Sequence, residues 1–114
     1  MSRRTSKPLI RRALADADVA EAIDYYLAES QSATLGFVEA LEAAYEHIRR
    51  APATGSPHYA HELNLPGLRF WPCKRYPYLV FYVERAASIE VWRVLHGKRD
   101  IPRWLQDDTK PSSR

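Results

Sequence analysis

The pattern of apolar residues predicts an α+β domain of order β-α-α-β-β-β, with a helical hairpin packed on a small antiparallel sheet. Three observations carry this prediction. Two apolar stripes at helical spacing follow one another between Val19 and Ile48, separated by a short break. Three runs rich in β-branched and aromatic residues lie between Leu68 and Leu95, joined by short connections that suit an antiparallel meander. The 114 residues, 46% hydrophobic and 27% charged, suit one globular domain rather than a disordered chain.

Pro8 to Leu14 mixes apolar and basic residues and reads as a short first strand. Asp16 and Asp18 follow, where acids favour a helix N-terminus. Val19, Ile23, Tyr26 and Leu27 then form one helical stripe. The chain breaks at Glu29-Ser-Gln-Ser, with Ser32 placed to cap a second helix. Phe37, Leu41, Ala44, Tyr45 and Ile48 continue the helical period. Arg49 and Arg50 suit a helix C-terminus, and Pro52 forbids continuation. So short a break predicts an antiparallel helical hairpin. Residues 51–66 contain Pro52, Gly55, Pro57 and Pro66 and read as a loop. Leu68 to Trp71 is the next strand, and Tyr76-Pro-Tyr lies at its end or in a turn. Tyr78 to Val83 is apolar on both faces, as expected of a central strand. Glu84-Arg-Ala-Ala makes a turn, and Ser88 to Leu95 is the last strand. Arg99 to Leu105 reads as a C-terminal turn or short helix. The expectation is one domain ordered over about residues 8–105, with residues 1–7 and 107–114 frayed.

The net charge of +3 hides a strong asymmetry. Residues 1–14 carry five basic groups and no acids, residues 15–50 carry two basic and eight acidic groups, and residues 51–114 carry ten basic and six acidic groups. A basic face suits an acidic partner, either nucleic acid or an acidic protein segment. With Cys73 alone, no intrachain disulfide forms, which suits a reducing compartment. The basic start lacks the apolar run of a secretory signal, and no stretch approaches the roughly 18 apolar residues of a membrane span. A soluble, cytoplasmic protein is expected.

Certain words in the chain are more specific. They are Leu65-Pro-Gly-Leu-Arg69, Tyr76-Pro-Tyr-Leu-Val-Phe-Tyr82 and Arg93-Val-Leu-His-Gly-Lys-Arg-Asp-Ile-Pro102. Upstream stand Asp18-Val19 and Pro52-x-x-Gly55. In this order, on these elements, the sequence resembles the ParE branch of the ParE/RelE toxin superfamily from about Leu9 to Leu105. The resemblance implies a toxin of a type II toxin–antitoxin operon. It implies a cognate antitoxin as protein partner, a toxin–antitoxin hetero-oligomer, and contact with operator DNA only through the antitoxin. ParE-like toxins are associated with inhibition of DNA gyrase, whereas RelE-like toxins on a similar fold cleave messenger RNA in the ribosome.

The residues weigh these activities. Metal-free RNA cleavage needs a base for the 2′-OH, an acid for the leaving oxygen and cations for the phosphorane charge. Lys74, Arg75, Arg93, His96 and Arg99 are the residues a nuclease would use, with Arg69 and Lys98 as further cations. RelE-like nucleases rely on an aromatic or imidazole group near the C-terminus, and here no Tyr or His follows His96. The preferred reading is therefore a non-enzymatic inhibitor of gyrase, with no catalytic residue. Arg75, Arg93, His96, Lys98, Arg99, Trp104 and Leu105 are the expected target-binding residues. Arg93, inside an apolar strand, has a rival reading as a structural ion pair with Asp24 or Glu21. His96 before Gly97 has the rival reading of a turn-shaping residue, which is the commoner role at a strand end, and a degenerate toxin that only binds its antitoxin is a third reading of the chain. Tyr76, Tyr78, Phe81, Tyr82 and Trp92 are expected in the core, with Trp71 and Trp104 at the surface. His58-x-x-His61 with Cys73 lacks a fourth ligand of the usual kind, so no metal and no cofactor are expected.

Overall fold

A computed structural model describes residues 7–109. Its elements are β1 (Leu9–Arg11), α1 (Ala13–Glu29), α2 (Gln31–Arg50), α3 (His58–Leu63), β2 (Leu68–Pro72), β3 (Tyr78–Glu84), β4 (Ile89–His96) and α4 (Ile101–Thr109). The expected fraying at residues 1–6 and 110–114 lies outside the described residues. Lys7, expected to be frayed, is tied down: its Nζ donates to Glu84 Oε2 at 2.7 Å and to the Arg85 carbonyl at 2.8 Å. At the other end α4 continues past Leu105 to Thr109.

The sheet order is β1-β4-β3-β2. The three-strand meander is antiparallel, as expected, but β1 joins β4 in parallel, so the sheet is mixed. The hairpin α1–α2 is the crossover that parallel pairing requires. β3 lies between β2 and β4, which is why its residues are apolar on both faces.

The hairpin breaks at Ser30 alone. Ser30 Oγ accepts the Ala33 N–H at 3.0 Å, so Ser30, not Ser32, caps α2. The buried face of α2 is Thr34, Phe37, Leu41, Ala44 and Ile48, which is the sequence stripe extended by one turn. α1 starts within the segment expected to be strand and turns Ala15, Asp18 and Ala22 inward, with Val19, Ile23 and Tyr26 half-buried beside them. Leu27 lies one residue past that face and is exposed.

The hairpin packs on one sheet face, as expected, and the other face is covered as well. Val80, Tyr82, Ile89, Val91 and Val94 pack under the hairpin. Leu68, Phe81, Val83, Trp92 and Leu95 pack with Ile101 and Leu105 of α4, and Tyr59, Ala60 and Leu63 of α3 close the same cluster. α3 occupies the segment read as loop. Its three apolar residues justify a short helix only once the second sheet face is there to cover. Asn64 ends it in the left-handed conformation (φ 55°). β4 carries one extra residue opposite the Phe81/Tyr82 step, a bulge that turns Trp92 to the α4 side while Val91 and Val94 stay under the hairpin.

Candidate functional site

The β2–β3 turn and the exit of β4 lie side by side. The Cys73 N–H donates to the Tyr78 carbonyl at 2.9 Å, and the Gly97 N–H donates to the Pro77 carbonyl at 2.7 Å. Tyr78 pairs with His96 at the end of the β3–β4 ladder. The sheet therefore brings Lys74, Arg75, His96, Lys98 and Arg99 to one end, where Lys74, Arg75 and Lys98 are exposed. Arg75 holds φ at 72°, a left-handed conformation that costs an L-residue roughly 1–2 kcal/mol. The backbone bonds of the surrounding turn hold Arg75 in this conformation.

The rim is built on a stacked support. Trp104 of α4 carries the Arg99 guanidinium over its ring at 4.3 Å, with the Arg93 guanidinium at 5.5 Å from the same centroid. Arg99 Nη2 also lies 3.9 Å from Glu21 Oε1 on α1. His96 packs edge-on to Tyr78 at 5.3 Å, and its Nδ1 accepts the Lys98 N–H at 3.1 Å. That bond places the proton of the neutral ring on Nε2.

The sequence model of the family described as "ParE toxin of type II toxin-antitoxin system, parDE" matches residues 9–101, most of the chain and every element from β1 to the start of α4. The chain belongs to this ParE toxin family. Among solved structures, a chain of the "Chromosomal ParDE TA system from P. aeruginosa" shares the fold at a TM-score of 0.67 and 18% identity, over 80% of this chain and 96% of that one. No curated protein matches the sequence.

Within the ParE fold, two of the expected target-binding residues are not surface groups. Arg93 is 4% exposed. Its Nε and Nη2 donate to both carboxylate oxygens of Asp18 at 2.8 Å, and its Nη1 donates to the Trp104 carbonyl at 3.0 Å. The ion-pair reading of Arg93 is correct in kind, but the partner is Asp18 rather than Asp24 or Glu21. Leu105 is fully buried under the sheet. Neither side chain can present itself to a target without α4 leaving. Arg69 also serves the fold, donating to the Gly55 carbonyl at 2.7 Å. Trp71 is half-buried and stacks on His47 at 3.7 Å, so part of its face is already covered.

The histidine pair and the cysteine are on opposite sides of the sheet. His58 and His61 lie on the exposed side of α3, where His58 sits 3.7 Å from Glu62, whereas Cys73 belongs to the cluster under the hairpin. Burial pushes the Cys73 thiol up to about 11. At pH 8 about a thousandth of it is thiolate, so the native thiol should react with iodoacetamide at least about 100-fold more slowly than the urea-unfolded chain. Equal rates would place Cys73 at the surface. The raised value also sets a direction for stability. The unfolded thiol ionises near about 8.5 and the folded one later, so stability falls as pH rises from that point through about 11.

Sequence reasoning missed Asp18 as the anchor of Arg93 and Tyr25 as an exposed aromatic. The helical period does carry the second signal: Tyr26 lies on the inward stripe, so its neighbour Tyr25 points away from it.

Proposed function

We propose that this chain inhibits DNA gyrase by binding, without catalysis, and that a cognate antitoxin neutralises it by direct contact in the cytoplasm. The family match over residues 9–101 carries this reading. The rim of exposed Arg75 and Lys98 with half-buried Arg99 supports it as the face that meets the target, since clustered cations steer and hold an acidic surface. A nuclease would need a base and an acid at the same place. His96 is the imidazole of the rim, and with Nδ1 occupied its neutral ring offers only a donor. Arg93, which a nuclease would need at the phosphate, is buried against Asp18.

The antitoxin surface is read from what is left uncovered. Among the described residues, the strongly exposed large apolar ones, Ile10, Leu14, Tyr25, Leu27 and Leu35, all lie on β1 and the hairpin. The two sheet edges differ. At β2, Phe70 already exchanges both backbone bonds with Ser56, at 2.9 and 3.0 Å, and Pro72 has no N–H to offer. A peptide that adds a strand therefore has the outer edge of β1, beside Ile10 and Leu14. Operator DNA is contacted through the antitoxin, not through this chain.

Controlled expression in a bacterial host tests the target. The expected result is DNA breaks and an SOS response with intact messenger RNA, lost when Arg75, Lys98 and Arg99 are all changed to Ala. Rapid cutting of messenger RNA would replace the gyrase reading with the nuclease one. A chain without toxicity would be a degenerate toxin that only binds its antitoxin.

A further inference from the structure

Beside the rim, a groove of about 590 Å³ opens between α1 and the exit of β4, within the range of small-ligand sites. Its lips carry opposite charge: Glu21 and Glu29 stand on α1, and His96, Lys98 and Arg99 stand opposite. Between them the lining is aromatic. Tyr26 and Tyr78 lie 6.3 Å apart, and Tyr25, 59% exposed, packs edge-on to Tyr26 at 5.1 Å. Core packing accounts for Tyr26 and Tyr78 but leaves Tyr25 with most of its ring in water.

We propose that this groove binds one nucleoside monophosphate unit, with its phosphate on the His96–Arg99 lip, its base on the tyrosines and its ribose hydroxyls on Glu21 and Glu29. Three donors within four residues meet the phosphate. His96 is left with Nε2–H as a donor because Nδ1 is occupied. The Lys98 side chain is exposed and has no partner among the described residues. Arg99 is held in place over Trp104, and its contact to the exposed Glu21 is long, so turning toward a phosphate costs little. Tyrosine faces stack any base. Carboxylates accept ribose hydroxyls and repel further phosphates, which favours a monophosphate unit over a free triphosphate. The same chemistry is met in a free nucleotide and in one residue of a single strand. The proposal does not rest on the gyrase reading, and its test contains no gyrase.

Amide NMR and calorimetry on the purified full chain test it, with AMP, GMP, CMP and UMP, the matching nucleosides, inorganic phosphate, and U or dT octamers. The expected result is that at least one monophosphate shifts residues 25–29 and 96–99 and binds roughly tenfold or more tighter than its nucleoside or phosphate alone. Lys98→Ala and Tyr25→Ala, both at exposed positions, should each weaken it roughly tenfold while the circular dichroism stays unchanged. An octamer no tighter than the monophosphate identifies a free nucleotide as the occupant. An octamer much tighter, with affinity falling as salt rises, identifies a strand. Absence of binding by all of these at millimolar concentration, or phosphate binding as tightly as any nucleotide, overturns the proposal.

Discussion

Replacing Asp18 with Ala should lower the unfolding free energy by about 3–5 kcal/mol, the cost of breaking a buried ion pair by removing one member. Arg93 is 4% exposed and gives two of its donors to Asp18. Its third donor goes to the Trp104 carbonyl, a neutral and weaker acceptor than the carboxylate. Asp18 has a second duty. β1 is only three residues long, so the outer edge of β4 loses its strand partner beyond Val91. Asp18 Oδ2 accepts the Val94 N–H there at 2.9 Å. The carboxylate thus closes a sheet edge, ties α1 to β4, and through Arg93 reaches α4. For a domain whose total stability is about 5–15 kcal/mol, the loss leaves a marginal fold. Asp18→Asn keeps an acceptor for Val94 without the charge and should fall between the two. Urea denaturation reads all three chains. An unfolding free energy of Asp18→Ala within about 1 kcal/mol of the parent would mean that Arg93 finds compensation elsewhere and that the pair is not the anchor described.

Phe37→Ala should cost about 3–5 kcal/mol by the loss of buried area and the cavity left behind. Phe37 is fully buried, and its ring centroid lies 5.2 Å from Tyr26, 5.2 Å from Tyr78 and 5.8 Å from Tyr76. Tyr76 is anchored at its outer end, its Oη donating to the Ala33 carbonyl at 3.3 Å, so it cannot simply collapse into the space. Gly36 beside it leaves room for that phenol, since a Cβ there would run into the Tyr76 hydroxyl. Phe37→Leu, which fills most of the volume, should cost clearly less. Differential scanning calorimetry on both variants checks this. Equal losses for Leu and Ala would point to the aromatic contacts, rather than the cavity, as the source of stability. Because Tyr26 and Tyr78 form the aromatic part of the groove beside the basic rim, Phe37→Ala should also broaden the NMR signals of both tyrosines.

What local sequence determined on its own was whatever depends on near neighbours. The helical stripe from Phe37 to Ile48, the stop at Pro52, the doubly apolar run Tyr78 to Val83 and the word from Arg93 to Pro102 are local patterns, and they suffice for the hairpin, the meander and the family. What depends on contacts distant in sequence was decided by the tertiary structure. α3 exists because an apolar sheet face needs cover, against a local composition of prolines that argues for a loop. β1 joins in parallel because the hairpin carries the chain across the sheet before β4 is made. The basic residues divide in the same way. Arg75, Lys98 and Arg99 stay at the surface because turns end the strands there, whereas Arg93 is drawn inside because Asp18, 75 positions earlier, is held facing β4. Charge and spacing name the cations of this protein, but only the packing of α1 and α4 on β4 decides which of them is free to meet a partner.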